Sequence, residues 1–148
     1  MAERKHFNVS VFYYTYSDPY IASVRTALDS ELKAAGVSFD NYDGENNQTK
    51  QNEQIDTAIQ KGTDLLVVNI VTSSTPDVSS EILEKAEAAG IPVVFFNRTP
   101  EKEEGEVLGK SENCAFVGTD APEAGHLQGK MIGDYVLANY DAIDLNKD

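Results

Sequence analysis

The sequence predicts an α/β protein, a parallel β-sheet flanked by helices. Apolar runs typical of strands alternate four times with amphipathic helical patterns at short spacing, which favours a parallel sheet with right-handed crossovers. The run from Ile91 to Phe96 is apolar throughout, as a strand needs when helices cover both faces of its sheet. Asn97 and Arg98 follow this run directly. Open α/β sheets bind ligands at the carboxyl ends of their strands, so both are candidate ligand contacts.

The first strand and helix form one βα unit. Phe7 to Tyr14 is rich in Val, Phe and Tyr, which predicts a strand. Asp18 is a typical helix N-cap, with Pro19 at the first helical position. The helix is expected to end at Gly36. Its apolar residues recur at steps of three and four: Ile21, Val24, Leu28, Leu32 and Ala35.

Further strands and helices follow in the same alternation. Val37 to Tyr42 is predicted to be the second strand and Leu65 to Val71 the third. The helices that follow them are expected to end at Gly62 and Gly90. After the fourth strand and a charged loop, Cys114 to Val117 is the last predicted strand.

Composition narrows the possible functions. The 148 residues fit one domain of ordinary size. Twelve Lys and Arg against 25 Asp and Glu give a net charge of −13, which repels phosphate backbones and anionic lipids, so no nucleic acid partner is expected. No apolar run approaches the ~18 residues of a membrane span, and no signal peptide is visible. The chain is therefore expected to be soluble, with any signal peptide removed.

The motifs of common enzymes are missing from the sequence. It contains no G-x-G-x-x-G after the first strand, no G-x-x-x-x-G-K-[ST], no G-x-S-x-G and no metal-spaced histidine pair. Cys114, the only cysteine, is most simply a small core residue, since neither His6 nor His126 forms a nucleophile arrangement with it. We expect no catalytic residues and no enzymatic activity.

The predicted strand ends carry polar and aromatic side chains instead. Carboxylate, amide and guanidinium groups can pair with vicinal hydroxyls, while an aromatic face covers the C–H patch of a pyranose, so this inventory favours a neutral sugar. The residues are Tyr14, Tyr16, Asp18, Tyr20, Asn69, Asn97 and Arg98. Structural uses are the alternative: Asp18 would cap a helix, Tyr20 would pack on it, Asn97 would start a turn and Arg98 would form a surface salt bridge.

Several segments, taken in order, closely resemble bacterial galactose/glucose-binding proteins. These are the extracytoplasmic receptors of sugar ABC importers, and in some bacteria chemotaxis receptors also read them. The similar segments are residues 11–20 (VFYYTYSDPY), 46–56 (NNQTKQNEQID), 61–69 (KGTDLLVVN), 91–98 (IPVVFFNR), 116–120 (FVGTD) and 144–148 (DLNKD).

The resemblance implies a Rossmann-like lobe of a type I periplasmic binding protein. Residues 1–118 would be the N-terminal sugar-binding lobe, left incomplete, and 119–148 the first helix and the start of the calcium loop of a truncated second lobe. Asp18 would hydrogen-bond a sugar hydroxyl, and Tyr20 would stack on the ring where the family has Phe. Asn97, with Arg98 beside it, would hold further hydroxyls.

The resemblance also implies cofactors and partners. Asp144, Asn146 and Asp148 would be the first three calcium ligands of the full-length protein. Three ligands fall short of the roughly 6–8 that Ca²⁺ prefers, so we expect none bound by this fragment. The implied partners are D-galactose or D-glucose, bound weakly by one lobe alone, and the membrane subunits of an ABC transporter. The protein would be periplasmic or membrane-anchored outside the cytoplasm. Exposed apolar surface makes self-association of the fragment an expectation.

Two other functions stay open at this level. One is the sugar-sensing domain of a transcription regulator of the same fold, which would carry a basic helix-turn-helix before the first strand. The other is a flavodoxin-like signalling domain, for which Asp18 and Asp43 would be a sparse phosphoacceptor cluster.

Overall fold

The computed structural model describes residues 7–73 and 75–140, in which strands and helices alternate as the sequence predicts. The elements are β1 (Asn8–Tyr13), α1 (Pro19–Ala34), β2 (Ser38–Asp43), α2 (Gln48–Gln60), β3 (Leu65–Val68), α3 (Pro76–Ala88), β4 (Val93–Phe96), a 3₁₀ turn (Leu108–Lys110), β5 (Cys114–Val117) and α4 (Ala121–Ala138).

Within this part of the chain, five parallel strands form one sheet in the order β2-β1-β3-β4-β5. The predicted fold class is therefore confirmed. The order reverses between β1 and β3, and such a switch point opens a crevice at the carboxyl ends of the strands.

Helices pack on both faces of the sheet. On one face α1 covers a cluster that contains Val9, Val11, Tyr13, Ile21 and Phe96. On the other face α2 and α3 enclose the larger cluster, which includes Phe12, Ile55, Ala58, Leu66, Val68, Ile82, Ala86 and Phe95. Apolar residues on alternate sides of each strand explain this division.

The α1 face of the sheet carries an open apolar groove. Beside α1, strands β3, β4 and β5 present side chains that α1 does not fully cover, and Val117 on β5 is 64% exposed. The groove is lined by Leu28, Leu65, Val67, Val94, Phe96 and Val117 among others.

Local signals set the helix ends, at Asp18, Gly36, Gly62 and Gly90 as the sequence predicts. The Asp18 side chain caps α1, and the Asp120 side chain caps α4 by accepting from the Glu123 N–H at 3.0 Å. Gly36, Gly62 and Gly90 follow α1, α2 and α3 with φ of +69°, +81° and +70°, in the left-handed region that glycine adopts without steric cost.

Three strands are shorter than predicted, and β1 loses one residue at each end, Phe7 and Tyr14. β3 ends at Val68 and not at Val71. The Asn69 N–H still bonds to the Phe12 carbonyl of β1, but the Gln51 side chain, and not a neighbouring strand, bonds to the Asn69 carbonyl and the Val71 N–H. β4 starts at Val93 and not at Ile91, since the Ile91 N–H still bonds to the carbonyl of Ala86 at the end of α3 and Pro92 has no N–H.

The chain divides into two compact units between Gly118 and Thr119. The described part of the second unit is dominated by α4, on which Lys130 and Asp134 form an ion pair one turn apart at 2.5 Å. Across the described residues, no helix combines the length and the apolar character needed to cross a bilayer.

Candidate functional site

The segments that follow β1, β3 and β4 meet at the carboxyl edge of the sheet, and the fully buried Asn69 joins them. Its Oδ1 accepts a hydrogen bond from the Tyr14 N–H at 3.2 Å. Its Nδ2 donates to the Phe96 carbonyl at 3.2 Å and to the Asn97 Oδ1 at 3.1 Å. One amide side chain therefore fixes the three strand ends relative to one another at the switch point.

Asp18 begins α1 and is held from three directions. Its Oδ1 accepts from the backbone N–H groups of Tyr20 at 2.7 Å and Ile21 at 3.1 Å, and its Oδ2 accepts from the Tyr14 hydroxyl. The Tyr14 hydrogen bond, followed by the Ile21 N–H, holds the pKa of this carboxyl below its ordinary value. Asp18 thus caps the helix, as the structural alternative predicts, and remains an ionised acceptor.

Arg98 lies against the same tyrosine. Its Cζ is 3.6 Å from the centroid of the Tyr14 ring, and its Nη1 donates to the Val71 carbonyl at 2.6 Å. Within residues 7–73 and 75–140, Arg98 makes these contacts with a ring and a carbonyl and does not form the surface salt bridge considered above. They fix the plane of the guanidinium while its other N–H groups remain to donate.

Asn97 adopts a left-handed backbone conformation, with φ of +64°. Its N–H donates to the Val117 carbonyl at 2.8 Å, and the next N–H, that of Arg98, donates to the Phe96 carbonyl at 2.7 Å. The residue is half-buried and does form a turn. The same turn brings its side chain to Asn69.

Tyr20 lies in the first turn of α1, two residues after Asp18, and is 55% exposed. More than half of this side chain is therefore not packed on the helix. Of the four predicted sugar contacts, the structure brings Asp18 and Arg98 together through Tyr14, and it links Asn97 to them through Asn69.

Sequence reasoning missed the two glutamines that support this crevice from α2. Gln51 is fully buried and Gln48 half-buried, and both bond to the backbone that follows β3. The signal that could have found Gln51 is its position one helical turn before Ile55, on a stripe that is otherwise apolar.

The charged loop that follows β4 is organised by the buried Glu101. Its carboxylate accepts from the N–H groups of Gly105 at 3.0 Å, Val107 at 2.8 Å and Leu108 at 2.9 Å. Desolvation favours the neutral acid, but the Leu108, Val107 and Gly105 donors outweigh it and lower the pKa of Glu101. This carboxylate holds the loop together and is not free to contact a ligand.

The described residues do not favour a metal site or a nucleophilic cysteine. Among residues 7–73 and 75–140, no group of three or more His, Cys, Asp and Glu side chains could hold a metal ion. The predicted calcium ligands Asp144, Asn146 and Asp148 lie outside the described residues. Burial raises the pKa of the Cys114 thiol to about 11, with Glu101 and Glu87 adding to the effect, so the thiol is protonated at neutral pH.

The chain is similar to part of several curated sugar-binding proteins. It is 37% identical over 141 residues to the D-galactose/methyl-galactoside binding periplasmic protein MglB of Haemophilus influenzae, a match that covers 95% of the chain and 40% of that protein. It is 31% identical over 110 residues to the ribose import binding protein RbsB of Bacillus subtilis, covering 74% of the chain and 35% of that protein. The chain thus spans two fifths or less of the length of these relatives.

Solved structures share the fold. The ABC transporter periplasmic solute binding protein from Actinobacillus succinogenes, with bound D-allose, superposes with a TM-score of 0.76 at 20% identity, covering 88% of the chain and 44% of that structure. The periplasmic component of the arabinose ABC transporter from Shewanella gives 0.75 at 21% identity, covering 88% and 40%.

A family model described as the periplasmic binding protein domain matches residues 9–143. This match confirms the resemblance read from the sequence segments. The family is one of solute-binding proteins and not of enzymes, which confirms the expectation that the chain is not an enzyme. The chain belongs to the periplasmic binding protein domain family.

Proposed function

We propose that the chain is one lobe of a solute-binding protein that captures a monosaccharide for an ABC importer. The observation that carries the proposal is the crevice at the switch point, where an ionised Asp18, the amide of Asn97 and the guanidinium of Arg98 are joined through Tyr14 and Asn69. Ligands of open α/β sheets bind at this edge.

The crevice groups have complementary hydrogen-bonding roles. The ionised Asp18 accepts from a sugar hydroxyl, the remaining N–H groups of Arg98 donate to hydroxyl oxygens, and Asn97 can do both. Charged partners make the stronger hydrogen bonds to a neutral ligand. The exposed ring of Tyr20 supplies an apolar face for the C–H side of a pyranose.

We propose D-galactose or D-glucose as the sugar. The support is the 37% identity with a relative named for D-galactose and methyl-galactoside binding, against 31% with a ribose-binding relative. A longer protein would add the second lobe, a calcium site that begins with Asp144, Asn146 and Asp148, the ABC membrane subunits as partners, and chemotactic signalling. Its location would be periplasmic or otherwise extracytoplasmic.

A flavodoxin-like signalling domain shares this strand order. The family match favours solute binding over that alternative. A phosphoacceptor role for Asp18 is also disfavoured, because its carboxylate is already bonded to the Tyr14 hydroxyl and to the N–H groups at the start of α1.

The test is an amide correlation spectrum of the labelled chain during titration with D-galactose, D-glucose and, for comparison, D-ribose to millimolar concentrations. We expect shifts centred on Asp18, Tyr20 and Asn97 with the two hexoses, and weaker ones with ribose. A folded spectrum that responds to none of the three sugars would contradict sugar recognition by this lobe.

A pair of variants separates stacking from folding. Tyr20→Ala should weaken hexose binding about tenfold, the equivalent of one lost aromatic contact, with little loss of stability because the ring is exposed. Phe7→Ala removes an aromatic side chain that is 48% exposed and lies before β1, away from the crevice, and should leave binding unchanged.

A further inference from the structure

Gln51 is a polar residue in an apolar position. It projects from the buried stripe of α2 with Ile55 and Ala58, and its side chain is fully buried. A buried amide is costly unless its donor and acceptor are both paired, so its partners show what it is used for.

Both backbone partners of Gln51 lie in the segment that follows β3. Its Nε2 donates to the Asn69 carbonyl at 3.0 Å, and its Oε1 accepts from the Val71 N–H at 3.2 Å. Gln48, one turn earlier, accepts from the Thr72 N–H at 2.8 Å and donates to the Gln51 Oε1 at 3.1 Å. Two amide side chains thus bond to the Asn69 carbonyl and to the Val71 and Thr72 N–H groups in place of a neighbouring strand, while the Asn69 N–H keeps its bond to the Phe12 carbonyl of β1.

The same segment forms hydrogen bonds with two of the candidate sugar contacts, Asn97 and Arg98. The Asn69 side chain donates to Asn97 Oδ1, and the Val71 carbonyl accepts from Arg98 Nη1 at 2.6 Å. Gln51 bonds to the backbone of both Asn69 and Val71. It is therefore connected to Asn97 through one residue, Asn69, and to Arg98 through one residue, Val71.

We propose that Gln51 is a positioning residue of the crevice, holding residues 69–72 in the conformation that aims Asn97 and Arg98. The part concerning sugar affinity rests on the proposed function, and the part concerning geometry does not. Because the amide donates to one backbone group and accepts from another, a side chain with only one of these capacities should misplace the segment.

Gln51→Glu tests this proposal, because the hydrogen-bonding capacity of the new side chain depends on pH. The ionised carboxyl still accepts from Val71 but faces the Asn69 carbonyl, acceptor against acceptor, whereas the protonated form can donate to it. Burial raises the pKa of such a carboxyl, so protonation should occur between about pH 8 and 5. Protonation should therefore restore the wild-type arrangement, which a generally destabilised variant would not do.

The readout without ligand is the position of the Asn97 side-chain amide signals and the Arg98 guanidinium signal from pH 8 to 5. In Gln51→Glu we expect both to be displaced at pH 8 and to return toward wild-type positions on acidification. The wild-type pH series accounts for other titrating groups. Gln54→Glu is the matched control, since Gln54 lies on the same helix and its Nε2 also donates to a carbonyl, that of Asp43 at 2.8 Å.

Gln48→Met serves if Gln51→Glu does not fold. It removes the bond to Thr72 at the half-buried end of the pair, and should displace the same Asn97 and Arg98 signals by less. Wild-type positions of these signals in Gln51→Glu at every pH, or in a folded Gln48→Met where that variant is used, would overturn the inference.

The second measurement is the affinity of wild type and the same variants for D-galactose. Relative to wild type, Gln51→Glu should bind at least tenfold more weakly at pH 8 and recover most of that loss at pH 5, while Gln54→Glu should follow wild type. An equal loss in both variants would overturn the inference. If wild type responds to no sugar, the proposed function fails, and the ligand-free signals still decide whether Gln51 positions the crevice.

Discussion

The guanidinium of Arg98 lies over the ring of Tyr14, with its Cζ 3.6 Å from the ring centroid, while the hydroxyl of the same tyrosine donates to Asp18. One residue at the end of β1 therefore contacts both charged candidates for sugar binding. The ring face and the hydroxyl act through separate atoms, so substitutions can separate the two effects.

Tyr14→Phe removes the hydroxyl and keeps the ring. Because the Tyr14 hydrogen bond is the largest cause of the lowered pKa of Asp18, that pKa should rise toward its ordinary value. A carboxyl-detected NMR titration of Asp18 measures it. Tyr16→Phe is the control, since Tyr16 packs under Arg25 at 3.8 Å. An unchanged pKa in Tyr14→Phe, or an equal rise in both variants, would contradict the assignment.

Asn69→Ala should cost stability. The substitution leaves the Tyr14 N–H without this partner, whereas the Phe96 carbonyl keeps its bond from the Arg98 N–H. One buried donor left unsatisfied lowers the free energy of unfolding by roughly 1–3 kcal/mol. Urea denaturation measures the change. Asn113→Ala, at an exposed turn, should stay within about 0.5 kcal/mol of wild type. A loss at Asn69 no larger than that at Asn113 would show that the bridge contributes little.

Glu101→Gln should reduce the dependence of stability on acid pH. The pKa of Glu101 is lower in the folded than in the unfolded chain, so its ionised form contributes stability that is complete above the unfolded value and is lost as the pH falls through the folded one. That window lies below the ordinary value of 4.5. Unfolding free energies measured by urea from pH 6 to 3 should fall less steeply in Glu101→Gln, which starts roughly 1–3 kcal/mol less stable.

The control for that measurement is Glu104→Gln, in the same loop at an exposed position. Its pH profile should parallel that of wild type. A Glu101→Gln profile as steep as wild type would mean that other carboxylates account for the acid sensitivity.

The open groove on the α1 face should drive self-association of the chain. Val117→Lys places a charge in that groove, and because burying it is costly, the dissociation constant should rise about tenfold or more. Sedimentation velocity over a concentration series measures it, with Phe7→Lys as the control at an exposed aromatic outside the groove lining. A wild-type chain that stays monomeric at high concentration would refute the expectation.

The spacing of apolar residues, together with capping residues and glycines, was enough to predict the sheet, because each strand and helix here has such a local signal. Asp18 and Gly36 mark the two ends of α1 as predicted, and the positive φ of Gly36 is the physical reason. The end of β3 could not be predicted, since Leu65 to Val71 is apolar apart from Asn69 and nothing local shows that Gln51, 18 residues before Asn69, takes its carbonyl.

In the candidate site, too, some features could be predicted from the sequence and others could not. Asp18, Asn97 and Arg98 were identifiable because polar residues directly follow strands or begin a helix. Their connections were not, because Tyr14 reaches Arg98 and Asn69 reaches Asn97 across strands that are distant in sequence. Polar contacts between separate strands leave no periodic trace.

The left-handed backbone at Asn97 limits how the specificity of this crevice can evolve. Most residues with a Cβ pay roughly 1–2 kcal/mol for such a conformation, and β-branched ones are the least compatible, so Asn, Asp and Gly form nearly the whole usable repertoire there. Under the function proposed above, divergence toward another sugar would begin where the backbone imposes no such restriction. Position 20, in the first turn of a regular helix and with its side chain exposed, is the most permissive of the candidate contacts.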